Sequence, residues 1–194
     1  MISRGQAINF LNEKIANKNI IKHMLATEAM MRALALKLKI KNLKLKIVED
    51  EWAMAGLLHD GDYCEGVPVK KQGVQVTEWL REAGYEIPEN VAYAMAAHNY
   101  DNTKAMPKSL MDWSIAIGDS LTGLIVAAAL VLPSKKLADV NTEMVLRRFK
   151  EKSFARGTRR EQIALCQEKL GLSLEEFVKI CLEAMQGINK ELGL

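Results

Sequence analysis

Cysteine is scarce in this chain of 194 residues, and the three that occur, Cys64, Cys166 and Cys181, are widely spaced. An odd number at such spacing excludes a disulfide framework and a zinc knuckle. A strong excess of charge of one sign is also lacking, because 27 basic residues accompany 24 acidic ones and alternate with them along most of the chain. We therefore expect a cytoplasmic protein whose partners do not include a nucleic-acid polymer.

Long hydrophobic runs are lacking as well. The first residues, MISRGQAINFLNEK, contain no apolar segment of the kind found in signal peptides. The longest apolar run, Leu121–Leu132, is too short to span a bilayer, and extending it upstream meets Gly118 and the charged Asp119. We expect this run to form a buried core helix and the protein to have no membrane partner.

Apolar residues recur at helical spacing in almost every segment. The pattern predicts an all-α protein with one globular domain over residues 1–194, a non-bundle array of helices. We expect the core that carries the functional site at about 19–132, with C-terminal helices at about 140–192 packed on it. Alternation of lysine and apolar residues at 38–47 also allows a strand there. Helices are expected at Ser3 to about Asn17, Asn19 to about Lys39, Glu49 or Asp50 to Asp60 (ended by a left-handed Gly61), Val69–Ala83, Pro88–Tyr100, Pro107–Leu132, Asn141–Lys150, Arg159–Leu170 and from Ser173 onward.

Asp119 places a negative charge in the most apolar part of the chain, IAIGDSLTGLIVAAALVLP. An ionised carboxylate that leaves water is usually paired or bound to a metal ion, because burial without a partner costs many kcal/mol. The chain has three histidines, His23, His59 and His98, and each lies in an apolar helical stretch. One such histidine is more often a core residue with a hydrogen-bond partner, but all three together with Asp119 indicate a metal site.

His59 and Asp60 are neighbours at the end of a predicted helix. Consecutive helical side chains point about 100° apart, so both reach one ion only where the helix ends. Gly61 is expected to release the backbone at that point. His23 from an earlier helix and Asp119 from a later one complete a mixed nitrogen and oxygen ligand set. We expect Asp119 within a helix diameter, roughly 10 Å, of the corner formed by His59 and Asp60.

The pattern H…HD…D, formed by His23, His59-Asp60 and Asp119, resembles the HD superfamily of metal-dependent phosphohydrolases. Further segments are similar to one branch of that superfamily, the small stand-alone HD-domain proteins described as predicted hydrolases. These segments are IIKHMLATEAMMRALA, AGLLHDGDY, REAGYEIPENVAYAMAAHN, GDSLTGLIVAAALV and KSFARGTRRE, which together cover most of residues 5–185. The branch has no firm substrate, so the resemblance implies a helical HD-domain fold and a type of chemistry.

The resemblance implies four ligands for one divalent ion: His23, His59, Asp60 and Asp119. Such ligands suit Mn²⁺, Fe²⁺, Co²⁺, Ni²⁺, Zn²⁺ or Mg²⁺. His98 falls where two-metal members often supply another histidine, so it is expected to bind substrate phosphate or a second, loosely held ion. Two-metal members also tend to have a histidine shortly before the segment matching VTEWLREAG, where this chain has KKQG with Gln72. That departure argues against a second tightly held ion.

Two acidic residues, Asp62 and Glu65, follow the expected ligands in the loop DGDYCEG. Four protein ligands on an octahedral ion leave two positions for a water and a phosphate oxygen, and a nearby carboxylate then acts as general base. We predict that catalytic role for Asp62 first, since it is nearer the ligands, and for Glu65 second. The alternative is that both are ordinary loop acids.

A cationic turn, KEKSFARGTRRE, lies further along the chain. The planar fork of an arginine matches phosphate oxygens, so Lys152, Arg156 and Arg159 are predicted to bind the phosphate of the substrate. The similarity to the KSFARG segment of the superfamily branch supports this prediction for Lys152 and Arg156. A solvated turn between two helices is the alternative.

Together with these residues, the resemblance implies an enzyme, a phosphohydrolase that acts through a metal-activated water on a small phosphorylated compound such as a nucleotide or a related phosphomonoester. The alternative is a non-enzymatic HD-type module that binds a nucleotide or a metal ion. Oxidative chemistry at a di-iron site is a third interpretation, against which Gln72 argues. A homo-oligomer is compatible with the sequence.

Overall fold

The chain is described here over residues 2–194 by a computed structural model, and this part contains helices and turns but no strand. The α-helices are α1 Arg4–Lys14, α2 Lys18–Lys41, α3 Glu49–Leu58, α4 Gln75–Glu82, α5 Glu89–His98, α6 Tyr100–Thr103, α7 Leu110–Leu130, α8 Thr142–Lys150, α9 Arg160–Ile163, α10 Cys166–Leu170, α11 Leu174–Gly187 and α12 Asn189–Leu192. Short 3₁₀ turns lie at Val69–Lys71 and Leu137–Asp139. The all-α prediction is confirmed, and the strand alternative at 38–47 is wrong because α2 continues through Lys41.

Small polar residues begin the longest helices, because their side chains accept hydrogen bonds from the first free backbone N–H groups. Asn17 caps α2 by accepting from the Asn19 N–H at 3.0 Å, so this helix starts before the predicted Asn19. Ser109 caps α7 in a reciprocal capping box with Asp112, and the helix therefore starts after the predicted Pro107.

Two predicted helices are interrupted. The prediction of one helix over Val69–Ala83 is wrong, because Gly73 has a φ of +87° and separates the 3₁₀ turn from α4. The prediction of one helix over Arg159–Leu170 is also wrong, because a turn at 164–165 divides it into α9 and α10.

The core is arranged around α2, which packs against α3, α7 and α11. The apolar α7 also packs against α5 and α8. One hydrophobic cluster includes side chains from Ile2 at one end of the chain to Leu192 at the other, with Phe177 of α11 among its fully buried members. The C-terminal helices therefore belong to the same core as α2 and α7.

Among the described helices, α7 is the one long and apolar enough to cross a membrane by length and composition, with a mean hydropathy of 1.6. However, 61% of that apolar window is buried inside the fold. Such burial is typical of the core helix of a soluble protein, and it confirms the predicted buried core helix.

Two glycines permit close packing around the third helix. A Cβ at Gly56 of α3 would lie 2.7 Å from the backbone oxygen of Thr27 on α2. A Cβ at Gly61 would lie 2.8 Å from Val76 Cγ2 and 2.9 Å from Leu11 Cδ2. Gly61 does not have a positive φ, so its predicted left-handed conformation is wrong and its small size is what the fold requires.

Replacing Gly56 by alanine should lower the free energy of unfolding by about 2 kcal/mol, because the added methyl group meets backbone atoms that no rotamer change can move. Urea unfolding followed by circular dichroism measures this loss. Gly5→Ala is the matched control, since nothing lies within 4 Å of its Cβ position and alanine favours a helix. Equal unfolding midpoints for Gly56→Ala and the unaltered protein would contradict the close approach of α2 and α3.

Candidate metal centre

Four helices bring three histidines and two aspartates to one place. His23 lies on α2, Asp119 on α7, and His98 is the last residue of α5. His59 and Asp60 directly follow the last residue of α3. Because α2 packs against both α3 and α7, the side chains from these separate segments meet at one face of α2.

The atoms that face one another are separated by distances close to those in a metal site. His23 Nε2 lies 2.8 Å from Asp119 Oδ1 and 3.2 Å from His59 Nε2. Asp60 Oδ2 lies 3.7 Å from His23 Nε2 and 3.6 Å from His59 Nε2. Adjacent ligands of one ion at about 2.1 Å lie about 3 Å apart. His23, His59 and Asp60 could therefore hold a metal ion, with Asp119 beside them.

The expected proximity of Asp119 to the corner formed by His59 and Asp60 is confirmed, since its Oδ1 lies 3.6 Å from His59 Nε2. The backbone conformation that produces this corner differs from the prediction. His59 still has helical backbone angles, with φ −55° and ψ −36°, and the chain turns at the following residues without a left-handed glycine.

Backbone acceptors fix the orientation of two of the three imidazoles. His59 Nδ1 lies 2.8 Å from the Gly56 carbonyl oxygen, and His98 Nδ1 lies 2.5 Å from the Met95 carbonyl oxygen. A carbonyl oxygen only accepts, so each Nδ1 carries the proton when the ring is neutral. Each Nε2 then presents a lone pair toward the cluster.

Thr122 orients the third imidazole. Its Oγ1 donates to the Asp119 carbonyl oxygen at 2.8 Å and therefore accepts from His23 Nδ1 at 3.1 Å. In the neutral ring the lone pair of His23 Nε2 then faces Asp119 Oδ1, a contact that becomes attractive when Nε2 is protonated or when a metal ion lies between the two atoms. Sequence reasoning missed Thr122, although its position three residues after Asp119 on the same helical face was a usable signal.

His98 lies behind Asp60. Its Nε2 is 3.3 Å from Asp60 Oδ1, while Asp60 Oδ2 faces His23 and His59. The rings of His59 and His98 pack edge to face, with centroids 4.8 Å apart. Asp60 thus uses one oxygen toward His98 and the other toward the remaining cluster.

The electrostatics of the cluster favour ionised carboxylates. Burial raises the pKa of Asp60, but His59 and His98 outweigh it and hold that pKa at about 2. Burial also raises the pKa of Asp119, but its close contacts with His23 and His59 outweigh it and keep that pKa well below the usual range. Burial lowers the pKa of His23 and His98, but the carboxylates raise it overall. The site therefore stabilises positive charge.

Arg159 contacts Asp119. Its Nη2 donates to Asp119 Oδ2 at 2.9 Å, and its Nε donates to Ser120 Oγ at 3.1 Å. The predicted role of Arg159 in substrate binding does not fit these contacts, because its guanidinium is engaged with an expected metal ligand. Because Oδ2 of Asp119 accepts the hydrogen bond from Arg159, Oδ1 is the oxygen that faces the histidines.

Asp62 is fully buried. Both of its oxygens accept from the Gly73 N–H at 2.9 Å, and Oδ2 also accepts from the Val76 N–H at 2.9 Å. Burial raises the pKa of Asp62 despite these hydrogen bonds. The prediction of a general base is therefore corrected, because a carboxylate enclosed by backbone amides anchors a turn and has no access to a water. Glu65 is exposed and, within the described chain, forms no ion pair with the cluster.

A cleft of about 360 Å³ opens onto the cluster beside His23 and Asp119. Side-chain exposure agrees with this opening, since His23 is 26% exposed and His59 is 0% exposed. The turn 155–158 forms another wall of the cleft and includes Arg156. Arg156 therefore shares a cleft with the cluster, as predicted for a phosphate-binding residue, whereas Lys152 lines a neighbouring cleft.

Arg160 holds the shape of this cationic turn. Its guanidinium donates to the carbonyl oxygens of Phe149 at 2.8 Å, Glu151 at 3.0 Å and Phe154 at 2.6 Å. Ala155 has a φ of +44°, a left-handed conformation that non-glycine residues rarely adopt. The turn that carries Arg156 is thus fixed by an internal cation, a role that the sequence pattern did not reveal.

Comparison with protein-family models, with curated proteins and with solved structures finds no match. Inference about function therefore rests on the geometry of the cluster and on the motif residues themselves.

Replacing Asp62 by alanine should lower the free energy of unfolding by about 3 kcal/mol, because the Gly73 and Val76 N–H groups would be left buried without an acceptor. Urea unfolding measures the effect. Asp50→Ala is the control, since this exposed aspartate makes only a surface ion pair with Arg32 and should change stability by less than about 1 kcal/mol. An Asp62→Ala protein as stable as the control would contradict the anchoring role.

Proposed function

We propose that the chain is a metal-dependent phosphohydrolase acting on a small phosphorylated compound, such as a nucleotide or a related phosphomonoester. The observation that carries the proposal is the convergence of oriented Nε2 atoms on ionised carboxylate oxygens. In the neutral rings every Nδ1–H is satisfied outside the cluster, so the inward atoms are all suited to accept a cation. A mixed imidazole and carboxylate donor set fits a divalent transition-metal ion or Mg²⁺.

One ion per chain is the stoichiometry that the contacts favour, with four ligands: His23, His59, Asp60 and Asp119. His98 reaches Asp60 Oδ1 and no other carboxylate within 4.0 Å among the described residues. Two side chains make a poor site for a second ion, so we assign His98 to positioning Asp60. Hydrogen bonds to the ligands themselves are expected of such a site, and Thr122 and Arg159 provide them.

When bound, the ion would lower the pKa of a coordinated water and offset charge on a phosphate oxygen. His23 and Asp119 border the cleft, so a phosphate can approach from that side. Arg156 in the same cleft would bind phosphate oxygens through its planar fork. Arg159 would hold Asp119 to a single coordinating oxygen, because the other oxygen accepts its Nη2 hydrogen bond.

We infer a reducing compartment such as the cytoplasm. All three cysteines are free thiols, with Cys166 and Cys181 buried and Cys64 half-buried. Unpaired thiols that are also far apart in sequence are usual where disulfides do not persist.

Purified protein should contain close to one divalent ion per chain by mass spectrometry of the metal, and it should release phosphate from at least one member of a phosphomonoester panel. Asp60→Ala should lose the metal and at least about 100-fold of the activity, because it removes a ligand from the ion that activates the water. Asp50→Ala, an exposed aspartate, is the matched control and should retain both.

If Asp60→Ala and the unaltered protein were equally active on every substrate that turns over, this result would contradict the proposed metal site. Metal-dependent binding of a phosphorylated compound without turnover would instead support the non-enzymatic module.

Thr122→Val should weaken metal binding by about 10- to 100-fold, because valine keeps the shape of threonine but cannot orient the His23 ring. Competition with a fluorescent chelator measures the affinity. Thr122→Ser retains the hydroxyl and should therefore retain most of the metal affinity. If Thr122→Val and Thr122→Ser bind metal equally well, the hydroxyl does not orient His23.

A further inference from the structure

We infer that the substrate carries a second anionic group, held in a cleft next to the one that opens onto the metal centre. This inference rests on the proposed function and narrows the substrate class to phosphomonoesters with another phosphate or a comparable anion attached. It is carried by the shape and charge of the turn between α8 and α9.

The second cleft has a volume of about 470 Å³, within the range of small-molecule sites. Its walls include Phe149 and Lys150 of α8 and Lys152 of the following turn. Arg156 and Thr158 line both this cleft and the one beside the cluster. One ligand can therefore contact both clefts across these two shared residues.

The charges of the second cleft are not balanced within the protein. Lys150, Lys152 and Arg156 are exposed and, in the described chain, form no ion pair. Glu161 is the single acidic residue in the lining. Three free cations around one concave surface favour an anionic ligand.

Arg160 also lines the second cleft, but its guanidinium is committed to backbone carbonyl groups, including that of Phe149 at 2.8 Å. The binding cations are therefore the two lysines and Arg156. Phe149, half-buried at the wall, offers apolar surface to the carbon skeleton that would link the two anionic groups. The structure thus separates a reacting phosphate beside the cluster from a non-reacting anion beside Lys150 and Lys152.

The test compares bisphosphates of straight-chain diols, two to eight carbons long, with the alkyl monophosphates of equal length. The ratio of kcat/KM for bisphosphate over monophosphate should exceed about 10 at the best chain length, since a charge-assisted contact is worth about one order of magnitude. In the double variant Lys150→Ala with Lys152→Ala this ratio should fall at least about 5-fold. The double variant Lys135→Ala with Lys136→Ala, two exposed lysines outside both clefts, should keep it.

A binding measurement separates this inference from the proposed function. In Asp60→Ala protein, which should not turn over, calorimetry should show the bisphosphate binding at least about 5-fold more tightly than the monophosphate, with the preference lost on changing Lys150 and Lys152. Preference without turnover in unaltered protein would overturn the hydrolase and keep the second anion site. Two results would overturn the second anion site. One is turnover in which changing Lys150 and Lys152 leaves the kcat/KM ratio of bisphosphate to monophosphate unchanged, and the other is no preference for the bisphosphate in either experiment.

Discussion

Two mostly enclosed carboxylates face the Nε2 atoms of imidazoles, and this arrangement requires a positive charge, which a proton on a ring or a bound metal ion can supply. Arg159 supplies one cation, but it reaches only Oδ2 of Asp119. The inner oxygens, Oδ1 of Asp119 and Oδ2 of Asp60, lie 2.8 to 3.7 Å from imidazole nitrogens whose opposite nitrogens are already bound. At such distances in a partly dehydrated site, uncompensated repulsion would exceed the contribution of a typical hydrogen bond. A metal ion held by these residues, or protonation of the rings, would convert each of these contacts from repulsive to attractive.

The same residues that determine helix packing also determine the orientation of the ligands. Gly56 allows α3 to approach the backbone of α2 closely, and its carbonyl oxygen accepts the Nδ1–H of His59. Gly73 lies where a Cβ would be 2.3 Å from the Met95 carbonyl oxygen, the group that orients His98. His59, and His98 next to Asp60, are therefore held by backbone groups of packed helices, which move less than side chains. Pre-orientation of this kind reduces the conformational entropy lost when a ligand binds.

Apolar periodicity was sufficient for the helical class. The apolar settings of the histidines and of Asp119, together with the resemblance to the H…HD…D pattern, were sufficient to predict that His23, His59, Asp60 and Asp119 meet. Sequence was not sufficient for residues whose role depends on which polar atom they meet across the fold. Asp62 carries the same charge as Asp60 two residues earlier, yet its oxygens meet the Gly73 and Val76 amides and not the cluster. The same limit applies to Arg159. The stretch KSFARGTRRE does not distinguish an arginine that contacts Asp119 from one that faces a cleft. Periodicity also does not reveal the backbone conformation of a single residue. The positive φ of Gly73, which divides a predicted helix, was therefore not predicted.

The helices and the turn at 151–159 have different roles, and both depend on a rigid backbone. In the proposed phosphohydrolase the helices would supply the metal ligands, whereas the turn would supply the cations that distinguish one phosphorylated compound from another. The left-handed conformation of Ala155 costs roughly 1–2 kcal/mol. The hydrogen bonds from Arg160 to the carbonyl groups of Glu151 and Phe154 contribute more than this, since bonds to a charged group stabilise by about 1.5–3 kcal/mol each. The turn is therefore held in one conformation, and under the proposed function Arg156 would bind a phosphate without the entropy loss of ordering a flexible loop. If the proposed function holds, substitutions at the exposed residues of this turn would change substrate choice while the cluster on the helices stays the same.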